Sequence, residues 1–351
     1  MNMPTVQWLP RFGNDFQICL QQMDIASNRA LLILLDEAAY RNASFLDQRA
    51  LAHNPPGQWF SLDEVWSAAG GQQNSLTPHY IFHIGHCGST LISRLLDQLG
   101  AFGLREPLPF RSLAEAEASL GEAWSLLSPE AFDQQLRALN ALWSRRPPSG
   151  AVPIVKATSQ CSGLSTNLLT LSPDARALTL GLKLERYLAT VLAGQYAPFE
   201  FRAAAPLRLQ RLSRLGVGNL PMAADMGTPE FAALAWLTET FAARQLAHSS
   251  GTRVMHVDFD DFLQAPSEQL SMIAKHFGLA PSAAEIDQAV NGPTMSRYSK
   301  APEHGYSTNV RDQLVSQSSI QNAEGIRAGS TWVQQLMSQN NLLSDTLEGA
   351  L

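Results

Sequence analysis

A chain of 351 residues with 45% hydrophobic content can bury a sizeable core, in one large domain or two modest ones. Its 31 acidic residues outnumber 25 basic ones, giving a formal charge of −6, which excludes nonspecific nucleic-acid binding as the main activity and makes any anion site a local patch. Cys19, Cys87 and Cys161 lie far apart and form neither a disulfide framework nor a metal-ligand pattern, which fits a reducing, cytoplasmic setting.

In chain order, residues 1–74 read as a mainly helical N-terminal extension. Ser44 with Asp47, and Ser61 with Glu64, have the spacing of capping boxes that open helices. The run Leu31-Leu32-Ile33-Leu34-Leu35 is too short to span a bilayer and is bounded by Arg29 and Asp36, so it reads as a buried helix segment. Nothing at the N-terminus reads as a cleaved signal, and no membrane contact is expected. Gly70-Gly71 and the polar residues up to Pro78 form a joint, after which residues 75–285 read as the core.

That core opens with the most informative stretch of the chain. Tyr80 to Ile84 suit a buried strand, and Leu91, Ile92, Leu95, Leu96 and Leu99 recur at the spacing of one helical face that ends at Gly100. Between strand and helix stand Gly85, His86, Cys87, Gly88, Ser89 and Thr90. The glycines let backbone approach a ligand, the following helix aims its unpaired amides at whatever sits there, and the two hydroxyls add donors. The stretch lacks the Gly-Lys-Ser/Thr ending of a nucleotide-triphosphate loop, which disfavours an ATPase or kinase. A zinc site from His79, His83, His86 and Cys87 is set aside, because alternate strand positions face opposite ways and no second ligand pair follows; no metal is expected.

Further along, residues 102–106 return the chain to a sheet before Pro107, placing Glu106 at a strand end. A helical region spans 113–142, with Ser128-Pro129-Glu130 as a helix start. Residues 153–156 and 177–182 read as strands, the second running into Leu184, Tyr187, Leu188, Val191 and Leu192 at helical spacing. Residues 197–228 read as a loop-rich, lid-like insertion carrying Arg202, Arg208, Arg211 and Arg214, whose arginines either meet anionic ligands or form a solvated face. A helix from Thr228, a strand over 253–257 and a helix over 267–276 follow, and residues 286–351 form a C-terminal loop and helical segment packing on the core. Strands alternating with helices predict an α/β three-layer sandwich around a central, mainly parallel sheet, with ligands outside the carboxyl ends of its strands.

His86-Cys87-Gly88-Ser89-Thr90, preceded by a strand and followed by an apolar helix, resembles the 5′-phosphosulfate loop of the sulfotransferase family, with His86 where the family has Lys or Arg and Cys87 where it has Ser. Residues 172–190 resemble the strand and helix that bind the 3′-phosphate, with Leu182 at the place of the family arginine, Lys183 as a shifted cation and Thr190 for the family serine. His256 to Pro266 resembles the later strand and acidic turn. Together these cover roughly residues 78 to 280.

The resemblance implies an enzyme that moves a sulfuryl group from 3′-phosphoadenosine-5′-phosphosulfate to a hydroxyl or amine of a small-molecule or carrier-bound acceptor. It implies Glu106 as general base, with a salt bridge to Arg105 or a neighbour as the other reading of that residue. It implies Lys156 facing the transferring sulfonate, with a surface ammonium at a strand tip as the other reading. His86 either bonds the phosphosulfate as imidazolium or fills the loop through a neutral nitrogen, and Lys300, in the run Arg297-Tyr298-Ser299-Lys300, is a second phosphate contact. The competing reading is a non-catalytic phosphate-loop domain that binds a phosphorylated nucleotide or metabolite, or a protein partner. It rests on His86 and Leu182 at positions where the family is basic.

Overall fold

The computed structural model describes residues 7–70, 75–194, 197–299, 305 and 307–351. Among the described residues eight strands form two sheets: β1 (Ile18–Asp24), β2 (Arg29–Leu34) and β3 (Gly57–Ser61) in one, and β4 (His79–His83), β5 (Ala101–Arg105), β6 (Val152–Lys156), β7 (Ala177–Gly181) and β8 (Val254–Asp258) in the other. The larger sheet is wholly parallel in the order β5-β6-β4-β7-β8.

Side chains alternate across this sheet because successive Cβ atoms point to opposite faces. Ile81 of β4 joins one core with Ile92, Leu95, Leu178, Leu180, Trp236 and Phe262. Its neighbours Tyr80 and Phe82 join the other, with Phe102, Phe110 and Leu139. Each large aliphatic or aromatic side chain buried there contributes about 1.5–3 kcal/mol. The expected three-layer α/β sandwich is therefore present, with a hydrophobic layer on each side of the strands.

The N-terminal segment departs from the mainly helical expectation. Its three strands form an antiparallel sheet, and the apolar run expected as a helix is the middle strand, β2, paired to β1 on one side and β3 on the other. A short apolar run has no periodicity that separates a buried helix from a strand, and Asn28, left-handed at φ 51°, lies between the first two strands. Helices occupy Trp8–Phe12, Glu37–Asn42 and Leu62–Ala68, the last opened by the expected Ser61–Glu64 capping box. Ser44 caps nothing; its hydroxyl accepts from Arg94, while Asp47 caps a short 3-10 turn over Gln48–His53.

This segment shares the core of the larger sheet, since Phe12, Ile18 and Leu32 pack in the same cluster as Tyr80 and Phe102. Arg145, 7% exposed, fastens it by donating to the carbonyls of Phe12, Asp15 and Ile18. At the other end, helices Ala323–Gln339 and Asn341–Leu347 add Val333, Leu336, Leu343 and Leu347 to the opposite core.

The segment expected to be loop-rich contains an 18-residue helix, Ala197–Arg214, which runs through Pro206. A proline inside a helical pattern reads as a break, but packing carries this helix past it. Its arginines serve the interior: Arg208 is 2% exposed and pairs with Glu239, and Arg211 donates to the carbonyls of Gln160 and Ala114. These two are not lid cations. No helix among the described residues is long and apolar enough to cross a membrane.

Candidate functional site

The chain leaves β4 for the far edge of the sheet (β5), returns beside it (β6), and then builds on its other side (β7, β8). The reversal of direction opens a crevice at the carboxyl end of β4, which is where such sheets hold ligands. Residues 84–90 fill the mouth of that crevice. Ile84 is anchored from below, its amide donating to the Leu180 carbonyl and its own carbonyl accepting from Tyr187 Oη. Cys87 is fully buried, with Sγ 3.5 Å from the Leu180 carbonyl, so it holds the loop down and does not face a ligand.

Gly85, His86 and Gly88 have φ of 82°, 53° and 72°. Left-handed residues interspersed in a turn aim successive amides into one concavity, the geometry of an anion nest. One loop amide, that of Gly85, is taken by His83 Nδ1 at 3.0 Å. Gly88 starts the helix Ser89–Asp97 with no side-chain cap. Any Cβ on it would run into the ring of Phe259, so only glycine fits. Thr90 is 2% exposed, and its Oγ1 has no hydrogen-bond partner among the described residues. A buried hydroxyl without a partner costs about 1–3 kcal/mol, and this one lies in the wall of a cleft.

The cleft has a volume of about 810 Å³. Gly88, Ser89, Thr90, Thr190, Phe259, Ser307, Thr308 and Leu314 are among its lining residues, and Phe259 lies directly against Gly88. Its described lining carries four basic side chains, Arg49, His86, Arg297 and Arg311, and one carboxylate, Glu200. Three of the four basic groups have carboxylate partners, Arg49 with Asp47, His86 with Glu200, and Arg311 with Asp260 and Asp312, so most of that positive charge is paired. Arg311 is 4% exposed, ion-paired to Asp260 and Asp312, and 5.1 Å from the Phe259 ring that covers Gly88. Arg94 on the loop helix ties the rim together by donating to the carbonyls of Ser299 and Asn42 and to Ser44 Oγ.

Most of the expected site residues fall into three groups, while Gly85 and Cys87 are not among the residues that line the cleft. Gly88, Ser89, Thr90, His86 and Thr190 line the cleft, although the Thr190 hydroxyl already donates to the Arg186 carbonyl at 2.8 Å. Glu106 and Lys156 stand together at the ends of β5 and β6, as a buried ion pair outside the lining. Lys156 is 0% exposed, which rules out a surface ammonium, and Glu106 pairs with it while Arg105 pairs with Asp97. The pair is close to the cleft wall: Lys156 Nζ is 5.8 Å from the centre of the Phe45 ring, over which the cleft-lining Arg49 lies at 3.3 Å.

Lys183 forms the third group. It is exposed just before helix Leu184–Leu192, whose buried face takes Leu184, Tyr187, Leu188 and Val191, and it does not line the cleft. Leu182 is 4% exposed and its carbonyl accepts from Trp236 Nε1, so that position belongs to the core. Lys300 lies outside the described residues. Among the described residues no group of three or more His, Cys, Asp or Glu side chains is arranged to hold a metal ion. Arg49, Arg311 and Glu200 had no signal in the sequence. They come from three separate segments, and only tertiary packing brings them to the loop.

The chain is similar in fold to sulfotransferases of solved structure. A sulfotransferase domain from the curacin biosynthetic pathway is 13% identical, over 71% of this chain and 99% of that one, with a TM-score of 0.41. A sulfotransferase from Alicyclobacillus acidocaldarius is 12% identical over 73% and 98%, with a TM-score of 0.34. Retinol dehydratase, solved with androsterone and the inactive cofactor PAP, is 11% identical over 74% and 80%, also at 0.34. No family model and no curated protein matches the chain.

Proposed function

We propose that this protein is a transferase that uses 3′-phosphoadenosine-5′-phosphosulfate as its donor and passes the sulfuryl group to a hydroxyl or amine acceptor. The observation that carries the reading is the turn at residues 85–90: left-handed backbone leading into an uncapped helix N-terminus, with the buried Thr90 hydroxyl, unpartnered among the described residues, in the wall of a cleft that Arg49, His86, Arg297 and Arg311 also line. The 5′-phosphosulfate end meets the amides of Gly88 to Thr90, the Thr90 hydroxyl and His86. The nucleotide's other anionic group meets Arg311, which lines the same cleft beside Phe259. Fixed donors of this kind stabilise charge as it develops on the leaving phosphate and require no reorganisation during transfer.

Transfer forms a bond from the acceptor's oxygen or nitrogen to sulfur and breaks two, that from sulfur to the 5′-phosphate oxygen, whose electrons stay on the phosphate, and the acceptor's O–H or N–H bond, whose proton leaves to a base or to water. The products are the sulfated acceptor and 3′-phosphoadenosine-5′-phosphate. Calorimetric titration with that spent nucleotide at moderate salt tests the reading. Binding that exceeds that of magnesium-ATP supports it, and absence of both heat and thermal stabilisation in the folded protein overturns it.

A further inference from the structure

Thr90, Arg94 and Gln98 stand four residues apart, which puts them in one row along the helix Ser89–Asp97 and its C-cap. Thr90 lines the cleft. Arg94, one turn behind it, is half-buried and bonds to two distant pieces of chain. Its Nη2 donates to the Asn42 carbonyl at 3.2 Å and to Ser44 Oγ at 2.8 Å, and its Nε donates to the Ser299 carbonyl at 3.0 Å. Gln98, a turn further on, donates to Thr294 Oγ1 at 2.8 Å.

Each of these pieces carries part of the cleft wall. The N-terminal segment supplies Arg49, and the C-terminal loop supplies Met295, Arg297, Tyr298 and Ser299. Arg105 also holds the N-terminal segment, through the carbonyls of Arg41 and Ala43, but its remaining partner is Asp97 on the loop helix and not the C-terminal loop. Gln98 bonds to the C-terminal loop alone. Arg94 is the member of the row that bonds to both walls, and it does so from the helix that presents Thr90.

We infer that Arg94 is a positioning residue that joins the N-terminal segment and the C-terminal loop into one unit closing over the loop, so that the two walls of the cleft open and close together. The inference rests on the reading of this cleft as the nucleotide site. Arg94 does not itself line the cleft. It acts through the walls, because a nucleotide that enters between walls already in place orders less of the chain on binding than one that has to bring them in.

Arg94→Met keeps most of the side chain's bulk and removes its donors. Hydrogen exchange read by mass spectrometry should run about 10- to 100-fold faster in both stretches 42–50 and 292–299, the worth of the charge-assisted bonds removed. Calorimetric affinity of the folded variant for 3′-phosphoadenosine-5′-phosphate should fall by about tenfold, and Arg94→Lys, with one nitrogen in place of three, should fall between the variant and wild type. Faster exchange in one wall alone overturns the coupling. An unchanged affinity beside a loss of stability to urea overturns the positioning role, since a contact that only stabilises the fold does not alter binding to protein that remains folded. If Arg94→Met does not fold, Ser44→Ala decides: faster exchange over 292–299, a stretch that the Ser44 hydroxyl meets through Arg94, supports the coupling, and unchanged exchange there overturns it. Wild-type protein that binds no nucleotide overturns the transferase reading, and the exchange measurements then judge the joining of the walls by themselves.

Discussion

Replacing Gly88 by alanine tests the packing that shapes the loop. Alanine at φ 72° carries a left-handed penalty of about 1–2 kcal/mol. Its Cβ would also run into Phe259, a ring that cannot easily swing away: it is 5% exposed, stacked on Phe262 at 6.0 Å and flanked by the Arg311 guanidinium at 5.1 Å. Overpacking of this kind adds about 1–3 kcal/mol, so the total loss is roughly 2–5 kcal/mol. Gly100→Ala separates the two contributions, because Gly100 has φ 94° with nothing within 4 Å of its added Cβ and should lose only the backbone part. Urea unfolding of the two variants, compared at equal slope, gives the steric part as their difference. A Gly88→Ala protein as stable as Gly100→Ala refutes the placement of Phe259 against the loop.

Lys156→Met leaves the Glu106 carboxylate without its partner in a nearly dry place, which should cost about 3–5 kcal/mol. The double variant with Glu106→Gln should recover most of that by urea unfolding, and a double variant no more stable than the single one contradicts the pairing. Arg311→Met should weaken 3′-phosphoadenosine-5′-phosphate binding by about 10- to 100-fold, the worth of a charge-assisted bond, whereas Lys183→Met should leave the calorimetric affinity within about twofold. Equal losses would return the nucleotide's second anionic group to Lys183. His79 is pushed down from 6.5 to about 4 by burial, with Arg176 and His276 adding to the effect. As pH falls through that window the unfolded chain binds this proton before the folded one does, so His79 removes up to about 3 kcal/mol of stability between pH 6.5 and 4. His79→Asn should flatten the stability profile there, and an unchanged slope would place the proton uptake elsewhere.

The strands of the parallel sheet were legible in the sequence as short runs between turn and helix signals, most plainly where residues at helical spacing follow, as with Tyr80 to Ile84 before Leu91, Ile92 and Leu95, and Ala177 to Leu182 before Leu184, Tyr187 and Leu188. The loop was legible for a related reason: small residues between a strand and a helix admit few backbone shapes, and Gly88 is obligatory in the one adopted. Leu31 to Leu35 was not legible, since five apolar residues fit a buried strand as well as a buried helix and only pairing with β1 and β3 decides between them. Lys156 shows the same limit in the site. A lysine at a strand end is compatible with solvent or with an ion pair, and the choice depends on Glu106, 50 residues earlier, reaching it across adjacent parallel strands. Arg49, Glu200 and Arg311 converge on one cleft from the N-terminal segment, a helix beyond β7 and the C-terminal helices, a convergence set by the fold and by no local pattern.

The most direct test of the central claim is a crystal structure with 3′-phosphoadenosine-5′-phosphate at saturating concentration. The account predicts the 5′-phosphate against the amides of Gly88 to Thr90, with Thr90 Oγ1 donating to it. A nucleotide bound elsewhere, or a loop whose amides and Thr90 hydroxyl turn to other protein groups, would contradict it.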